Sequence, residues 1–331
     1  MKTLAKVLFF LFFAGISFAP AGAKDTFPIG YTSVGGVFSG LFVAQEGKFF
    51  EKYDIQSKLV LIPSGSRLAQ AILGGDVPFG GGGGNASVDA ALAGGDFVMV
   101  GALAKVPAYY VMALPEITRV EDLKGKVVGI TRFGSSTDFA MRWLLRKHGL
   151  EVGRDVTLLQ TGDNVALTTA MRNRHVVAGP LSSPANLRVK DIAKLLVDMG
   201  KVGVYFPHDA FMARRSFINA NPDLVRRFTM AYSEGVHALF TRTELAQITL
   251  RKYNRTNDPE IVQSVHQYAM NYVEKIPYNT HEGTQAVLDL AAMRTPKAKT
   301  ARPEEFYDDR FVRELDAQGF YKKLWGRNLR N

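Results

Sequence analysis

The sequence predicts an α/β fold in two lobes, for three reasons. A helix, a Gly-Gly-Asp stop and a short apolar strand occur twice in succession, over 67–79 and over 86–103. That alternation is the pattern of βαβ units and argues for parallel strands. Val127-Val128-Gly129-Ile130 is a continuous apolar run, as in a strand covered on both faces, and it opens into a hydroxyl-rich loop and an amphipathic helix. Finally, about 300 residues remain once an N-terminal leader is set aside, more than a single core usually organises.

The leader comes first. Lys2 and Lys6 form a basic start, Val7–Ala19 is apolar and rich in Phe, and Pro20-Ala21-Gly22-Ala23 supplies small residues where a signal peptidase reads. Residues 1–23 therefore read as a secretory signal peptide cleaved after Ala23. The apolar run is short of the roughly 20 residues a bilayer span needs. Removing Lys2 and Lys6 with it takes the formal charge from +10 to +8. With no Cys in the chain, a disulfide scaffold is excluded, and so is the thiol on which a lipoprotein is anchored. The basic balance suits an anionic ligand or surface, or serves solubility alone. It is not gathered into an arginine-rich tract and no zinc-finger spacing appears, so nucleic acid is not an expected partner.

The elements follow in order. Phe27–Tyr31 reads as a strand, Leu41 to about Tyr53 as a helix, Ile55–Ile62 as a strand and Arg67–Leu73 as a helix stopped by Gly74-Gly75. Val77–Phe79 is a short strand before the five glycines Gly80–Gly84 and Asn85; a helix over Ala86–Leu92 and a strand over Phe97–Leu103 come next. Tyr109–Leu114 is β-rich and Pro115 breaks it, which places a lobe crossing there. The second lobe holds strands at Val127–Ile130, Val156–Leu159, Val176–Ala178 and Ile192–Met199, with helices to about His148 and over Asn164–Met171. Phe211–Ala213 reads as the strand crossing back. Asn221-Pro222 and Asp258-Pro259 open helices with Pro at the first helical position. Arg294–Pro303 is a basic linker, and a last helix lies near Asp309–Ala317.

Candidate binding residues sit in the loops where strands end and helices begin, the place open α/β sheets present to ligands. Ser135 and Asp138 have capping-box spacing, and Ser135, Ser136, Thr137 and Arg132 surround a helix start whose amides and dipole favour an anion or polar group. Two readings stand: an ordinary N-cap, or a ligand seat. The glycine run also has two readings, a flexible turn or a close backbone approach to a ligand. It does not fit the dinucleotide fingerprint, and Gly125-Lys126 is followed by Val127, which breaks the P-loop pattern. Arg132 is either a charge partner for the ligand or a solvated residue, and Arg67 is a weaker candidate of the same kind. Phe38 either packs against an apolar part of the ligand or lies in the core under the first helix.

Several stretches in this order resemble the nitrate/sulfonate/taurine class of ABC-transporter solute-binding proteins, which includes binders of thiamine pyrimidine precursors. They are Ser33-Val34-Gly35-Gly36-Val37-Phe38 with Leu41–Phe50, Asp122-Leu123-Lys124-Gly125-Lys126 with Phe133–Phe139, Asp155–Gln160, and the terminal Phe306-Tyr307-Asp308, Phe311–Leu315 and Gly319-Phe320. The resemblance implies a type II periplasmic-binding-protein fold: two α/β lobes joined by two crossover strands, with a helical C-terminal extension and a ligand in the cleft. The lobes are then 24–114 with 208–331, and 115–207. It implies ligand contacts at Ser33, Phe38 and Ser39, at Gly82, Gly83 and Asn85, at Gly134, Ser135, Ser136 and Thr137, and at Ser182 and Ser183. Relatives commonly place a hydroxyl residue after two or three glycines, whereas here the glycines continue to Gly84 and Asn85 follows.

The function so implied is capture of a small solute, anionic (sulfonate, nitrate, taurine-like or carboxylate), or alternatively a pyrimidine precursor or aromatic, for delivery to a permease at the inner membrane. A periplasmic monomer without catalytic residue, metal or cofactor is expected. The rival, a secreted enzyme, has little behind it. No Gly-x-Ser-x-Gly occurs, His281-Glu282 lacks a second His at 285, and the six His are scattered. The fungal pyrimidine synthases that share the fold use a cysteine cluster, and this chain has no Cys.

Overall fold

The structure, a computed structural model, describes residues 25–326. The signal peptide and cleavage point expected at 1–23 lie outside the described residues. Two five-stranded sheets organise the chain. The first contains β1 (Asp25–Tyr31), β2 (Ile55–Leu61), β3 (Phe79–Gly82), β4 (Val98–Ala104) and β10 (Asp209–Ala213), in the order β2-β1-β3-β10-β4. The second contains β5 (Tyr110–Ala113), β6 (Val127–Ile130), β7 (Thr157–Gln160), β8 (Ala178–Leu181) and β9 (Lys194–Asp198), in the order β7-β6-β8-β5-β9.

Both sheets are mixed rather than wholly parallel. In the first, β1 runs parallel to β2 and β3, while β10 is antiparallel to β3 and β4. In the second, β6 is parallel to β7 and β8, while β5 is antiparallel to β8 and β9. The antiparallel member of each sheet is the strand that has just arrived from the other lobe. The chain therefore changes sheet over 105–109 and again over 199–208. The crossing expected at Pro115 is earlier than that, because Tyr110–Ala113 already pairs with β8 and β9.

Helices cover the sheets. α1 (Ser39–Glu46) and α2 (Phe49–Lys52) replace the single helix expected to Tyr53, since Lys48 takes a left-handed conformation, φ 58°. α3 (Gly65–Gly74), α4 (Gly84–Leu92), α5 (Ser136–Lys147) and α6 (Asn164–Arg172) each follow a strand. After α7 (Arg215–Ala220) the first lobe is completed by α8 (Pro222–Thr241), α9 (Thr243–Asn254), α10 (Pro259–Tyr272) and α11 (His281–Ala291). α12 (Arg310–Ala317) and α13 (Phe320–Trp325) close the chain, the second of them unforeseen in the sequence. The basic linker holds a short 3-10 turn at Pro296–Lys299. Among the described residues, no helix is long and apolar enough to cross a membrane.

The first-lobe core centres on Phe228 of α8. It meets Phe79, Phe211 and Phe27 edge-on, with ring centroids 4.5, 4.8 and 6.0 Å away, the geometry aromatic quadrupoles favour. A separate core under the second sheet joins Val111, Val128 and Ile130 to Leu144 and Leu145 of α5.

The glycine run is the main departure from expectation. Gly80–Gly82 are not a turn: they lie in the buried central strand β3, between β1 and β10. A Cβ on Gly80 would stand 2.8 Å from the Gly30 carbonyl oxygen and 2.9 Å from Leu68 Cδ1. The glycines let α3 sit flat on the sheet. Likewise the strand expected at Val176–Ala178 lies further on, with Gly179-Pro180-Leu181 in β8.

Gly80→Ala is expected to lower stability by about 1–3 kcal/mol, the usual cost of overpacking a tight core. Gly74→Ala, where a Cβ meets nothing within 4 Å, should change it by no more than about 0.5 kcal/mol. Denaturant melts of the two variants check the contrast.

Candidate functional site

Between the two sheets lies a cavity of about 160 Å³. The first lobe walls it with Thr32–Gly35 after β1 and with Ser64-Gly65 at the start of α3. The second lobe supplies Thr131 and Ser135–Thr137 at the start of α5, Asp163–Val165 at the start of α6, and Ser182, Pro184 and Ala185 after β8. The crossovers contribute Tyr109, His208 and Asp209. Leu61 and Pro63 face it from one lobe, and Val165 and Ala185 from the other.

The start of α5 shows which hydroxyls are free. Ser135 is the N-cap: its Oγ accepts from the Asp138 amide at 3.4 Å and donates to the Arg132 carbonyl at 2.7 Å. Thr131 Oγ1 donates to Ser135 Oγ at 3.0 Å, and Thr137 Oγ1 lies 2.8 Å from Thr131 Oγ1 and 2.7 Å from Ser135 Oγ. These three hydroxyl hydrogens are used inside the loop. Asp138 does not complete a capping box at Ser135; its Oδ2 accepts from the Gly134 amide at 2.9 Å and its Oδ1 from Arg142 Nε at 2.6 Å. Ser136 differs. Its Oγ accepts from the Tyr109 hydroxyl at 3.1 Å, which leaves its own hydrogen for a ligand. The Ser136 and Thr137 amides, in the first turn, have no intrahelical acceptor.

Of the residues expected to bind, Ser33, Ser135, Ser136, Thr137 and Ser182 line the cavity. Gly83 stands just behind its wall, where a Cβ would come 2.8 Å from Ser136 Oγ of the other lobe. Asn85 and Gly134 are joined to each other across the lobes, Asn85 Nδ2 donating to the Gly134 carbonyl at 2.9 Å, and they do not line the cavity. Gly82 is held in β3. Phe38 is fully buried in the core beside Tyr31 and Phe42, and Ser39 is fully buried in α1. Ser183 turns away to Ser264, with the two Oγ atoms 2.9 Å apart, while its carbonyl accepts from the Gly36 amide of the first lobe. Arg132 is half-buried and does not reach the cavity.

The sequence reading passed over Tyr109, Asp163, Asn164, Arg188, His208 and Asp209, all of which line it. Asp163-Asn164 follows a strand and opens a helix, so the rule that found Ser135 would have found it. His208-Asp209 offers only one signal, a polar pair abutting the apolar Ala210–Ala213. The pair is buried. His208 Nε2 and Asp209 Oδ2 are 3.5 Å apart, and the His208 ring meets Tyr109 edge-on at 4.5 Å. Burial pushes the imidazole down to about 3 and holds the Asp209 carboxyl well above the usual carboxylate range. Both shifts disfavour charge, so burial works against an ion pair between the two side chains. Arg188 is the cavity's cation and is exposed at its rim. Among the described residues no group of three His, Cys, Asp or Glu could hold a metal ion.

Residues 36–246 match the model of a protein family described as NMT1/THI5 like. The chain belongs to that family. YtlA of Bacillus subtilis (strain 168) is 22% identical over 200 residues, an alignment spanning 59% of this chain and 60% of that relative. Two solved structures share the fold. The alkanesulfonate-binding protein SsuA from Xanthomonas axonopodis pv. citri, bound to MOPS, has a TM-score of 0.72 at 21% identity, over 86% of this chain and 96% of its own. The periplasmic nitrate-binding protein NrtA from Synechocystis PCC 6803 has a TM-score of 0.68 at 14% identity, over 88% of each chain. The fold is therefore the two-lobed periplasmic-binding-protein fold with a helical C-terminal region, as the resemblance to the nitrate/sulfonate/taurine solute-binding class implied.

The buried imidazole makes a signed prediction. A His whose folded value is depressed stays neutral when folded but takes up a proton on unfolding, so its contribution to stability is lost as pH falls from 6.5 toward about 3. His208→Gln removes that liability. The melting temperature of the variant, relative to the parent, should rise between about pH 7 and about pH 4; a flat difference would contradict burial of a neutral ring.

Proposed function

We propose that this chain is the solute-binding component of an ABC importer. It captures a small solute between its lobes in the periplasm and delivers it to a permease at the inner membrane. The observation that carries the reading is the shared cavity: helix starts from both lobes, α3 on one side and α5 and α6 on the other, meet across one gap. Unpaired first-turn amides at three such ends make a polar seat that favours negative charge. Leu61 and Pro63 opposite Val165 and Ala185 offer an apolar flank beside it. A small oxyanion on a short apolar body, such as a sulfonate or carboxylate, fits both features. The alkanesulfonate named for one structural neighbour is of that kind, and the nitrate named for the other is an oxyanion alone.

Binding without chemistry is the better account of the polar groups. The hydroxyls of Thr131, Ser135 and Thr137 bond to one another, and among the described residues none of them bonds to His208 as a nucleophile would to its base. Closure is in keeping with this. Asn85 to Gly134 and Gly36 to Ser183 link the lobes by hydrogen bonds, and Lys190 pairs with Glu260 across them at 2.7 Å.

A thermal-shift panel of alkanesulfonates, nitrate, carboxylates and pyrimidines tests the reading. One class should raise the melting temperature, since a solute at 100 times its dissociation constant adds about 2.7 kcal/mol. Silence from the whole panel would overturn it. Ser136→Ala should weaken binding several-fold with little change in the empty protein. Ser135→Ala should instead cost the empty protein about 1 kcal/mol through its lost cap.

A further inference from the structure

Away from the cavity, the lobes meet at a contact made through sulfur. Met293, just after α11 in the first lobe, is 63% exposed. Its thioether accepts from Arg146 Nη1, in the last turn of α5 in the second lobe, at 2.8 Å. Nearby, Arg294 pairs with Asp89 at 3.3 Å and Arg142 with Asp138 at 2.6 Å. Among the described residues no carboxylate pairs with Arg146, so its guanidinium rests on a weak acceptor.

The other described methionines are shielded. Met99, Met112, Met141, Met171, Met199 and Met212 are buried, and Met230 and Met270 are half-buried. The chain has no Cys to intercept an oxidant. We propose that Met293 is an oxidation site for peroxide, and that its sulfoxide tightens the contact between the lobes. The sulfur lone pair attacks one peroxide oxygen and the O–O bond breaks. That oxygen stays on sulfur, and its proton passes to the departing hydroxide, which leaves as water. Sulfur loses two electrons and the peroxide gains them. The sulfoxide oxygen is a strong acceptor where the thioether was a weak one, so it takes the Arg146 guanidinium in a charge-assisted hydrogen bond across the lobes. Exposed and unbranched, the Met293 side chain can draw back to make room for the added oxygen. Reduction to the thioether reverses the change.

Dilute hydrogen peroxide on the native chain tests this. Peptide mapping should place the first added oxygen on Met293, at least about tenfold faster than on any buried methionine. The Gly36 amide donates to the Ser183 carbonyl of the opposite lobe at 3.2 Å, so its hydrogen exchange reports lobe opening at a contact that shares no residue with Met293. Oxidation should slow that exchange at least about threefold, the scale of one exposed charged pair. Arg146→Ala should leave the oxidation in place and remove the slowing, and Met293→Leu should remove both. Oxygen going first to another methionine, unchanged Gly36 exchange once Met293 is oxidised, or equal slowing in Arg146→Ala each overturns the inference. No solute enters these measurements, so their failure leaves the solute-binding reading standing.

Discussion

The two crossovers are bonded to each other, and the site depends on that. Phe206 N donates to the Lys105 carbonyl at 2.8 Å, His208 N to Ala104 at 3.1 Å and Met199 N to Tyr109 at 2.8 Å. Two chain segments running between the lobes side by side make a ribbon rather than two independent tethers. A ribbon resists twisting, and in the structure it holds helix ends of both lobes facing one cavity. It also explains why each sheet contains one antiparallel strand. The chain that leaves the first sheet by β4 enters the second beside the strands it must face, and β10 returns the same way.

The glycine run follows from the same demand for close approach. β3 is central in its sheet, with α3 on one face and the aromatic core on the other. Any side chain at Gly80 would hold α3 off the sheet, and any at Gly83 would hold Ser136 of the opposite lobe away. Small residues therefore serve both a packing and a closing purpose at neighbouring positions. Asn85, the second residue of α4, uses the space so left to reach the Gly134 carbonyl across the gap.

Local signals carried most of the fold. Apolar runs marked β6 and β4, Gly-Gly stops marked the ends of α3 and α4, and Pro at the first turn marked α8 and α10. What local signals could not carry was pairing. Five glycines look like a turn until the neighbours on both sides of β3 are known, and Tyr110–Ala113 looks like the end of one lobe until its partners β8 and β9 are known. The site divides on the same line. Ser135, Ser136 and Thr137 were legible because a helix start is a local feature. Phe38 and Ser39 belong to the same kind of loop, but α8 and the aromatic core bury them. His208 and Asp209 were illegible because nothing near them in the chain shows that a crossover would turn them toward a cavity.

Charge acts on two scales in this molecule, and the scales have opposite sign. Over residues 24–331 the formal charge is +8, the whole chain's +10 less Lys2 and Lys6. Most of it lies outside the cavity, whose wall, among the described residues, holds Arg188 alone among Lys and Arg, against Asp163 and Asp209. Surface charges farther than about 8–10 Å are screened at physiological salt, so the basic exterior acts on encounter rather than on choice. Choice belongs to groups that touch the solute after water has left, where each unpaired polar atom counts. Inside, helix starts from both lobes turn their first-turn amides toward one cavity. Within the cavity wall, His208 keeps a buried Nδ1 without a partner, and the Ser136 hydroxyl, which accepts from Tyr109, keeps its own hydrogen.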